Sequence, residues 1–429
     1  MGTDEPKSND RSKSLAVAFL LLFLVSLAAA AGFGSRAREK SASVPAGEDM
    51  AETGPKFQVV ADEAPPHREA SSDTCLPDSA PGPPVKRLAS TKELIALGVA
   101  CYFPSGERQV RLLLVDVRTR ELVAELARSH EDAIAYAWST SGSRLLHAEF
   151  PASGPLIFRT TDFITGRTTE TLRQSYSEEG GTFPAWLDDR SLVTAEKHEV
   201  VRLDRAGRRT LIRRHQEFGI CRDGGGCPAP TGMTVSQDGL IAETFETGDV
   251  VFFTPNESSF TRTRSHGATC HDPRFRPGGD RLGLTCAQIP DGYDPASTDS
   301  TRNHYEVNAW VIDVRSGRWF RVQTGDGGHE WGMDYFPWSP DARRYVVGTF
   351  SEACASFHLT DSATGDKVSR EYAGDFGSFS ADGKSFVFTR YGSSDVCVSE
   401  TNSVVVTMAD WAERPLWGNS RSPLWSPAR

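Results

Sequence analysis

Residues 378–388 read Ser-Phe-Ser-Ala-Asp-Gly-Lys-Ser-Phe-Val-Phe, an aromatic residue followed by a tight turn and a β-rich run. The Asp-Gly pair supplies the positive φ angles that a tight hairpin turn requires. The apolar and aromatic residues after the turn are typical of a strand. The phrase therefore predicts two antiparallel strands joined by a short turn.

Related phrases recur along the chain, and each contains an apolar or aromatic residue that we call the marker residue. The marker residues are Trp138, Trp186, Val235, Phe275, Trp338, Phe379 and Trp425. Their average spacing is about 48 residues, which falls among the periods of propeller blades. The chain is therefore predicted to be built from repeated β units.

A second turn follows in several units, an Asp with a Gly three or four residues later. Examples are Asp162 with Gly166, Asp204 with Gly207, Asp313 with Gly317, and Asp361 with Gly365. Each unit thus has four antiparallel strands, which we call A to D in chain order. Four-stranded units repeated radially form a β-propeller, so the predicted fold is all-β.

The two ends of the repeat region are complementary. Residues 425–427 (Trp-Ser-Pro) begin one more phrase, while residues 93–102 and 111–117 look like strands B and C without a preceding strand A. We expect the C-terminal strand to complete the N-terminal blade, because this closure removes the free edges of the sheet. With the shared blade counted once, the sequence predicts seven blades.

The chain resembles the TolB-like, WD40-like (PD40) propeller repeats of bacterial envelope proteins. The resemblance lies in residues 338–341 (Trp-Ser-Pro-Asp) and 379–384 (Phe-Ser-Ala-Asp-Gly-Lys), and it covers most of residues 90–429. Leu187 and Gln237 depart from the motif. Because one fold hosts many functions, the motif indicates a fold more than an activity. The resemblance implies extracytoplasmic scaffolding and protein binding, with no cofactor.

The N-terminal segment is predicted to be hydrophobic and helical. Residues 15–31 are almost entirely apolar, which fits either a membrane-spanning anchor or a long signal peptide. Basic residues lie on both sides, so both interpretations of residues 1–34 stay open. Residues 35–88 are rich in proline and predict a disordered linker, with the propeller at 89–429. The expected location is the periplasm or cell envelope, with residues 15–34 as a possible inner-membrane anchor.

Composition restricts the class of partner. The formal net charge is -10, and no concentrated run of basic residues is present. Binding to nucleic acid neutralises phosphates with a basic surface, so a nucleic-acid partner is not expected. We expect a monomeric propeller that binds another envelope protein and meets the membrane only through its N-terminal segment.

Eight cysteines in an exported chain favour disulfide bonds. The register of the repeats suggests the pairs Cys221–Cys227, Cys270–Cys286, Cys354–Cys397 and Cys75–Cys101. A zinc site is the alternative, which we disfavour because the chain contains no Cys-x-x-Cys pair.

Candidate ligands lie in the loops of the rim where strands D and A, and strands B and C, connect. They are His130, Glu131, His266, His271, Asp291, Asp294, His329 and Glu330. Histidine and carboxylate groups could bind a metal or move a proton. We favour exposed loop residues on separate blades, because no spacing such as His-Glu-x-x-His is present. The insertion at residues 290–299 lacks a calcium-loop pattern and is predicted to contact a partner.

The predicted function is that of a non-catalytic interaction scaffold. No catalytic residue, metal or cofactor is assigned. Serine hydrolase chemistry in particular is not indicated, because the sequence contains no Gly-x-Ser-x-Gly elbow. Two alternatives stay open: a metal-dependent propeller hydrolase or lyase, and a carbohydrate-binding module. The tryptophan markers could stack on sugars, but as strand A residues they are expected to pack in the blade core.

Overall fold

The computed structural model describes residues 85, 93–102, 108–151, 153–174, 182–196, 198–221, 226–265, 268–288, 306–323, 337–350, 355–391 and 401–427. They belong to the larger of two compact units, Glu69–Arg429. The predicted N-terminal hydrophobic helix, and the predicted linker apart from residue 85, lie outside these ranges. Within them, no helix has the length and apolar character needed to cross a membrane.

The described chain is almost entirely β-structure. The first strands are β1 (Leu94–Tyr102), β2 (Arg108–Asp116), β3 (Leu122–Ser129), β4 (Asp132–Trp138), β5 (Arg144–Phe150), β6 (Leu156–Asp162), β7 (Arg167–Gln174), β8 (Ala185–Asp188), β9 (Ser191–Ala195), β10 (Glu199–Leu203) and β11 (Arg209–Arg214). A short 3-10 helix, His215–Phe218, follows. Next come β12 (Pro230–Val235), β13 (Ile241–Phe245), β14 (Asp249–Phe253), β15 (Phe260–Arg264), β16 (Ala268–Phe275), β17 (Arg281–Gln288), β18 (Glu306–Asp313) and β19 (Trp319–Gln323). The last are β20 (Arg344–Phe350), β21 (Ala355–Asp361), β22 (Tyr372–Phe379), β23 (Ser385–Tyr391), β24 (Thr401–Thr407), β25 (Ala412–Gly418) and β26 (Ser420–Trp425).

These strands form six antiparallel sheets. Five sheets have four strands each, in the orders β26-β1-β2-β3, β4 to β7, β8 to β11, β12 to β15, and β16 to β19. The sixth contains β20 to β25 in sequence order. Strand β4 contacts β26 and β8, β12 contacts β8 and β16, and β22 contacts β26. First strands therefore follow one another around a common centre, and the chain is an all-β propeller.

Apolar layers fill the spaces between neighbouring sheets. Buried residues from the two sides of successive interfaces include Leu112 and Ala133, Phe158 and Leu192, Val200 and Phe245, Phe252 and Leu284, Val311 and Trp338, and Val387 and Ile95. The marker residues Trp338 and Trp425 are buried in these layers, which agrees with a packing role for them. Burial of such side chains stabilises the ring by removing apolar surface from water.

The predicted closure of the ring by the C-terminal strand is confirmed. Strand β26 pairs antiparallel with β1, with Trp425 opposite Ile95. The Ser426 amide donates to the Leu94 carbonyl at 2.8 Å, and the Leu94 amide donates to Ser426 Oγ at 3.2 Å. Ser339 and Arg344 make the same two bonds within one repeat, at 2.8 and 2.9 Å. Leu94 is therefore equivalent to Arg344. Arg344 belongs to a repeat formed by continuous sequence, whereas the repeat of Leu94 is assembled from both ends of the repeat region.

The predicted number of seven blades is wrong: the described strands form six sheets. The repeats marked by Trp338 and Phe379 share the six-stranded sheet, because β21 pairs with β22. The stacked rings of Phe357 and Tyr372, 5.2 Å apart, mark this junction. In the described part of its repeat, Trp338 makes a single isolated bridge, to Tyr345, in place of a strand A.

Two of the predicted disulfides are confirmed, Cys221–Cys227 and Cys270–Cys286. The second joins residues directly opposite each other on β16 and β17. Cys101 is also disulfide-bonded, and none of the cysteines within the described ranges is free. Cys75, Cys354 and Cys397 lie outside those ranges, so the other two pairings stay predictions.

Strand β5 buries a histidine completely. His147 has no exposed surface, and its Nε2 lies 3.1 Å from Thr161 Oγ1. Burial, assisted by the positive charge of Arg159, lowers the pKa of His147 to about 3. The folded chain therefore holds this imidazole neutral over most of the pH range, because its charged form would lose its hydration.

We predict that replacing Ser426 by Ala lowers the free energy of unfolding by about 1–2 kcal/mol, because the buried Leu94 amide loses its acceptor. Urea unfolding followed by tryptophan fluorescence measures the change. Ser141→Ala is the control, since Ser141 is exposed in an equivalent turn. Equal stabilities of the two variants would contradict the assigned closure.

We predict that His147 makes the fold sensitive to acid. A pKa lowered in the folded state contributes stability above the unfolded value of about 6.5 and loses it as the pH falls toward 3, by about 1.4 kcal/mol per pH unit. Between pH 7 and 5, the free energy of unfolding should fall by about 2 kcal/mol more in the wild type than in His147→Gln. Identical pH profiles for wild type and His147→Gln would disprove the assignment.

Candidate functional site

The innermost strands are irregular where they face the centre of the ring. A register shift, the mark of a β-bulge, interrupts the pairing of β4, β8, β12, β16, β22 and β26 with the next strand. Bulges re-aim side chains and occur often beside functional sites. In β4, β12 and β16 the shifts place Tyr136, Thr231 and Asp272 at the wall of one cavity.

This cavity, which we call the channel cavity, has a volume of about 120 Å³. Its wall consists of Tyr136, Thr182, Phe183, Thr231, Gly232, Met233, Asp272, Pro273 and Arg274. These residues come from the inner strands β4, β12 and β16 and from the segment that precedes β8, so four successive sheets contribute, from the second to the fifth. Because each sheet contributes one short segment, the cavity exists only when the sheets are assembled in a ring.

Two aromatic rings dominate one side of the channel cavity. Tyr136 and Phe183 form an edge-to-face pair with ring centroids 5.1 Å apart. Phe183 is 40% exposed although it is a large apolar side chain. The neighbouring Thr182 holds it in place: its amide donates to the Ala195 carbonyl at 3.0 Å, and its carbonyl accepts from Thr194 Oγ1 at 2.8 Å. The ring is therefore presented to solvent by an anchored backbone.

The wall residue Asp272 forms a histidine–carboxylate pair with His271. His271 Nδ1 is 2.7 Å from Asp272 Oδ2, and Asp272 has a φ angle of 51°. Partial desolvation disfavours the charged carboxylate, but the hydrogen bond and charge of His271, together with the charge of Arg274, outweigh it and lower the pKa of Asp272. The carboxylate is therefore ionised at neutral pH and can orient the imidazole or accept a hydrogen bond from a ligand.

Close contact between β12 and β16 fixes this side of the cavity. A Cβ atom on Gly232 would lie 2.5 Å from Pro273 Cδ and 3.2 Å from the Asp272 nitrogen, so a glycine is required. Thr231 Oγ1 donates to the Cys270 carbonyl at 2.5 Å. The positions of Asp272 and Pro273 thus depend on the strand of the neighbouring sheet.

The predicted candidate residues do not all lie here. His271 is next to the channel cavity, whereas His130 and Glu131 are exposed in the connection between β3 and β4 and do not line it. His266, Asp291, Asp294, His329 and Glu330 lie outside the described residues. Among the residues that the structure does describe, no three His, Cys, Asp or Glu side chains are grouped to hold a metal ion.

Sequence reasoning missed Tyr136, Phe183 and Arg274. A usable signal was available, since these residues lie one to three positions before the markers Trp138, Trp186 and Phe275, and so recur once per repeat. Pro273 within a strand also indicates a bulge, because proline cannot donate to the ladder.

A second histidine–carboxylate contact is buried between the third and fourth sheets. His215 Nε2 lies 2.9 Å from Glu243 Oε1, and neither side chain has exposed surface. Burial raises the pKa of Glu243 even though His215 opposes the shift. No ligand can reach this pair in the closed fold, so its role is structural.

We predict that Gly232→Ala disrupts the channel cavity and lowers the free energy of unfolding by about 1–3 kcal/mol, because the new methyl group overlaps Pro273. Gly226→Ala is the matched control, since a Cβ there would meet no atom within 4 Å. Thermal and urea unfolding of both variants test this. Equal free energies of unfolding for Gly232→Ala and Gly226→Ala would contradict the close contact between β12 and β16.

Comparison with known proteins identifies no family. No family model matches the chain, and no curated protein matches it. Among solved structures, TolB from Acinetobacter baumannii is 14% identical with a TM-score of 0.42, over 77% of this chain and 82% of that one. A periplasmic gluconolactonase from Pseudomonas aeruginosa is 14% identical with a TM-score of 0.49, over 78% and 100%. An oligogalacturonate lyase in complex with manganese is 14% identical with a TM-score of 0.47, over 76% and 85%. Likenesses at this level transfer no activity to the chain.

Proposed function

We propose that the chain is a non-catalytic, TolB-like propeller scaffold of the bacterial envelope, and that it binds another protein at the channel cavity. The observation that carries this proposal is the composition of the cavity wall. It combines Tyr136, Phe183, Met233 and Arg274, and aromatic residues, methionine and arginine are the types enriched in protein interfaces.

Exposure of Phe183 gives the site its binding energy. The Phe183 ring is 40% exposed beside the cavity, and a partner that covers it removes apolar surface from water. This burial stabilises the complex. The anchored backbone at Thr182 limits the conformational entropy that binding would remove. Binding hot spots typically combine such a rigid aromatic residue with a nearby arginine, and Arg274 belongs to the same wall.

The cavity also offers polar groups that would fix the orientation of a partner. The ionised Asp272 accepts hydrogen bonds, and Thr231 Oγ1, which already donates to the Cys270 carbonyl, can only accept one from a partner. An inserted side chain or loop of the partner with an exposed amide or basic group fits this arrangement better than a flat surface would. The proposed complex is thus formed by insertion at the centre of the ring.

The disulfides support the proposed location. Bonds such as Cys221–Cys227 and Cys270–Cys286 persist in oxidising compartments and are rare in the cytosol. Together with the predicted export segment at residues 1–34, they favour a propeller that works in the periplasm, either anchored or released.

We predict that a photo-crosslinking phenylalanine analogue at position 183 captures a defined envelope protein in native cells. The same analogue at position 320 is the control, because Phe320 is comparably exposed, at 43%, on the outer strand β19. Arg274→Ala should abolish capture at position 183, whereas Arg264→Ala on β15 should not. Identical products at both positions, or capture that survives Arg274→Ala, would refute the proposed site.

The metal-dependent enzyme is the second candidate, and the His271–Asp272 pair is the observation that favours it. Elemental analysis of the purified protein separates the two functions. A stoichiometric divalent ion lost from variants of His271, His130 or His329 would overturn the scaffold proposal. Metal content that does not respond to these substitutions would leave protein binding as the function of the cavity.

A further inference from the structure

A second cavity lies between the second and third sheets, at the rim where strands A and B, and strands C and D, connect. Its volume is about 150 Å³. One water molecule occupies about 30 Å³ in the liquid, so the space holds several waters or one small polyatomic ligand. We call it the arginine cavity, because Arg144, Arg167, Arg190 and Arg205 contribute to its wall.

Arg144 is the unusual member of this group. Its side chain is only 5% exposed, and its Nε donates to Asp162 Oδ2 at 2.8 Å. Its Nη1 atom is buried and has no hydrogen-bond partner in the folded chain. A buried donor in a native protein is nearly always satisfied, so this guanidinium has one pairing position open beside the cavity.

A second buried group at the same wall also lacks a partner. Ser191 is 3% exposed, lines the arginine cavity, and its Oγ makes no hydrogen bond within the chain. It comes from the first residue of β9, whereas Arg144 begins β5. Two unpartnered polar atoms from adjacent sheets therefore border one space.

The charge of the wall selects the ligand. The charge of Asp189 acts on Arg144, and the four arginines share the cavity wall with two carboxylates, Asp162 and Asp204. Both are already engaged in turns: Asp162 accepts the Ile164 and Thr165 amides, and Asp204 accepts the Ala206 amide. The excess of positive charge occurs in a chain whose formal net charge is -10, so it is a local feature of this rim.

We propose that the arginine cavity binds a small oxyanion, a phosphate or carboxylate group, between Arg144 and Ser191. Guanidinium groups match the planar spacing of such oxygens and can donate two parallel hydrogen bonds. The serine hydroxyl donates a further bond. The exposed Arg190 and Arg205 add charge at the entrance, where it draws the anion in.

The test is calorimetric titration of the full-length protein with inorganic phosphate and, separately, with acetate, at constant ionic strength maintained with chloride. We expect saturable binding of at least one oxyanion and an oxyanion-dependent rise in melting temperature. Absence of both effects beyond those of chloride overturns the proposal. The relative affinity for phosphate and acetate tells a phosphate site from a carboxylate site.

Variants localise the binding. Arg190→Gln and Arg205→Gln remove exposed charges at the cavity, so the fold should persist, and each should weaken binding about tenfold. Arg173→Gln is the matched control: it removes one exposed charge from β7 of the second sheet, which also borders the cavity, but not from the cavity wall. Ser191→Ala should weaken binding while circular dichroism stays unchanged. Equal losses in Arg173→Gln and Arg190→Gln would show general charge attraction and overturn the site.

Discussion

The pairing of β26 with β1 is the constraint on which the other features depend. Each sheet buries both faces against its neighbours, so an open ring would leave two faces and one edge in water. The hydrogen bonds between Ser426 and Leu94 close the ring. They have the same pattern as the hydrogen bonds of a turn that elsewhere lies within a single repeat. The closing sheet therefore has the same local geometry as the others, although the bonded residues Leu94 and Ser426 are 332 positions apart in the sequence.

Within the described strands, register shifts occur in pairs that involve an innermost or an outermost strand. The middle strands are paired on both sides and buried, as in β13 and β14, where every residue is buried. In five sheets the innermost strand pairs on one side only, whereas β22 also pairs with β21. A bulge in a strand paired on one side removes fewer ladder hydrogen bonds. Bulges of this kind contain Tyr136, Thr231 and Asp272, and all three residues line the channel cavity. The fold is thus regular in the middle strand pairs and irregular in both the inner and the outer pairs, as in β2–β3 and β10–β11.

Sequence reasoning recovered what is local or repeated. The tight turns that follow the marker residues are an example: Ser339 Oγ lies 2.6 Å from Asp341 Oδ1, and Ser380 Oγ lies 2.8 Å from Asp382 Oδ1. The β-propeller architecture, the closing strand and two disulfides followed from the same periodicity. The number of sheets did not, because it depends on whether β21 pairs with β22, and both repeats involved carry a normal marker phrase.

The two cavities were not predicted, for a related reason. Tyr136 and Phe183 lie in different repeats, as do Arg144 and Ser191. The spacing of residues within one repeat does not predict that these side chains lie close together. What the sequence does encode is position within the unit: Tyr136 and Phe183 precede their markers, whereas Arg144 and Ser191 follow theirs. Residues before the marker lie toward one end of the inner strand and residues after it lie beyond the A–B turn, at the other end. The repeat therefore separates an aromatic, central cavity from a cationic, peripheral one.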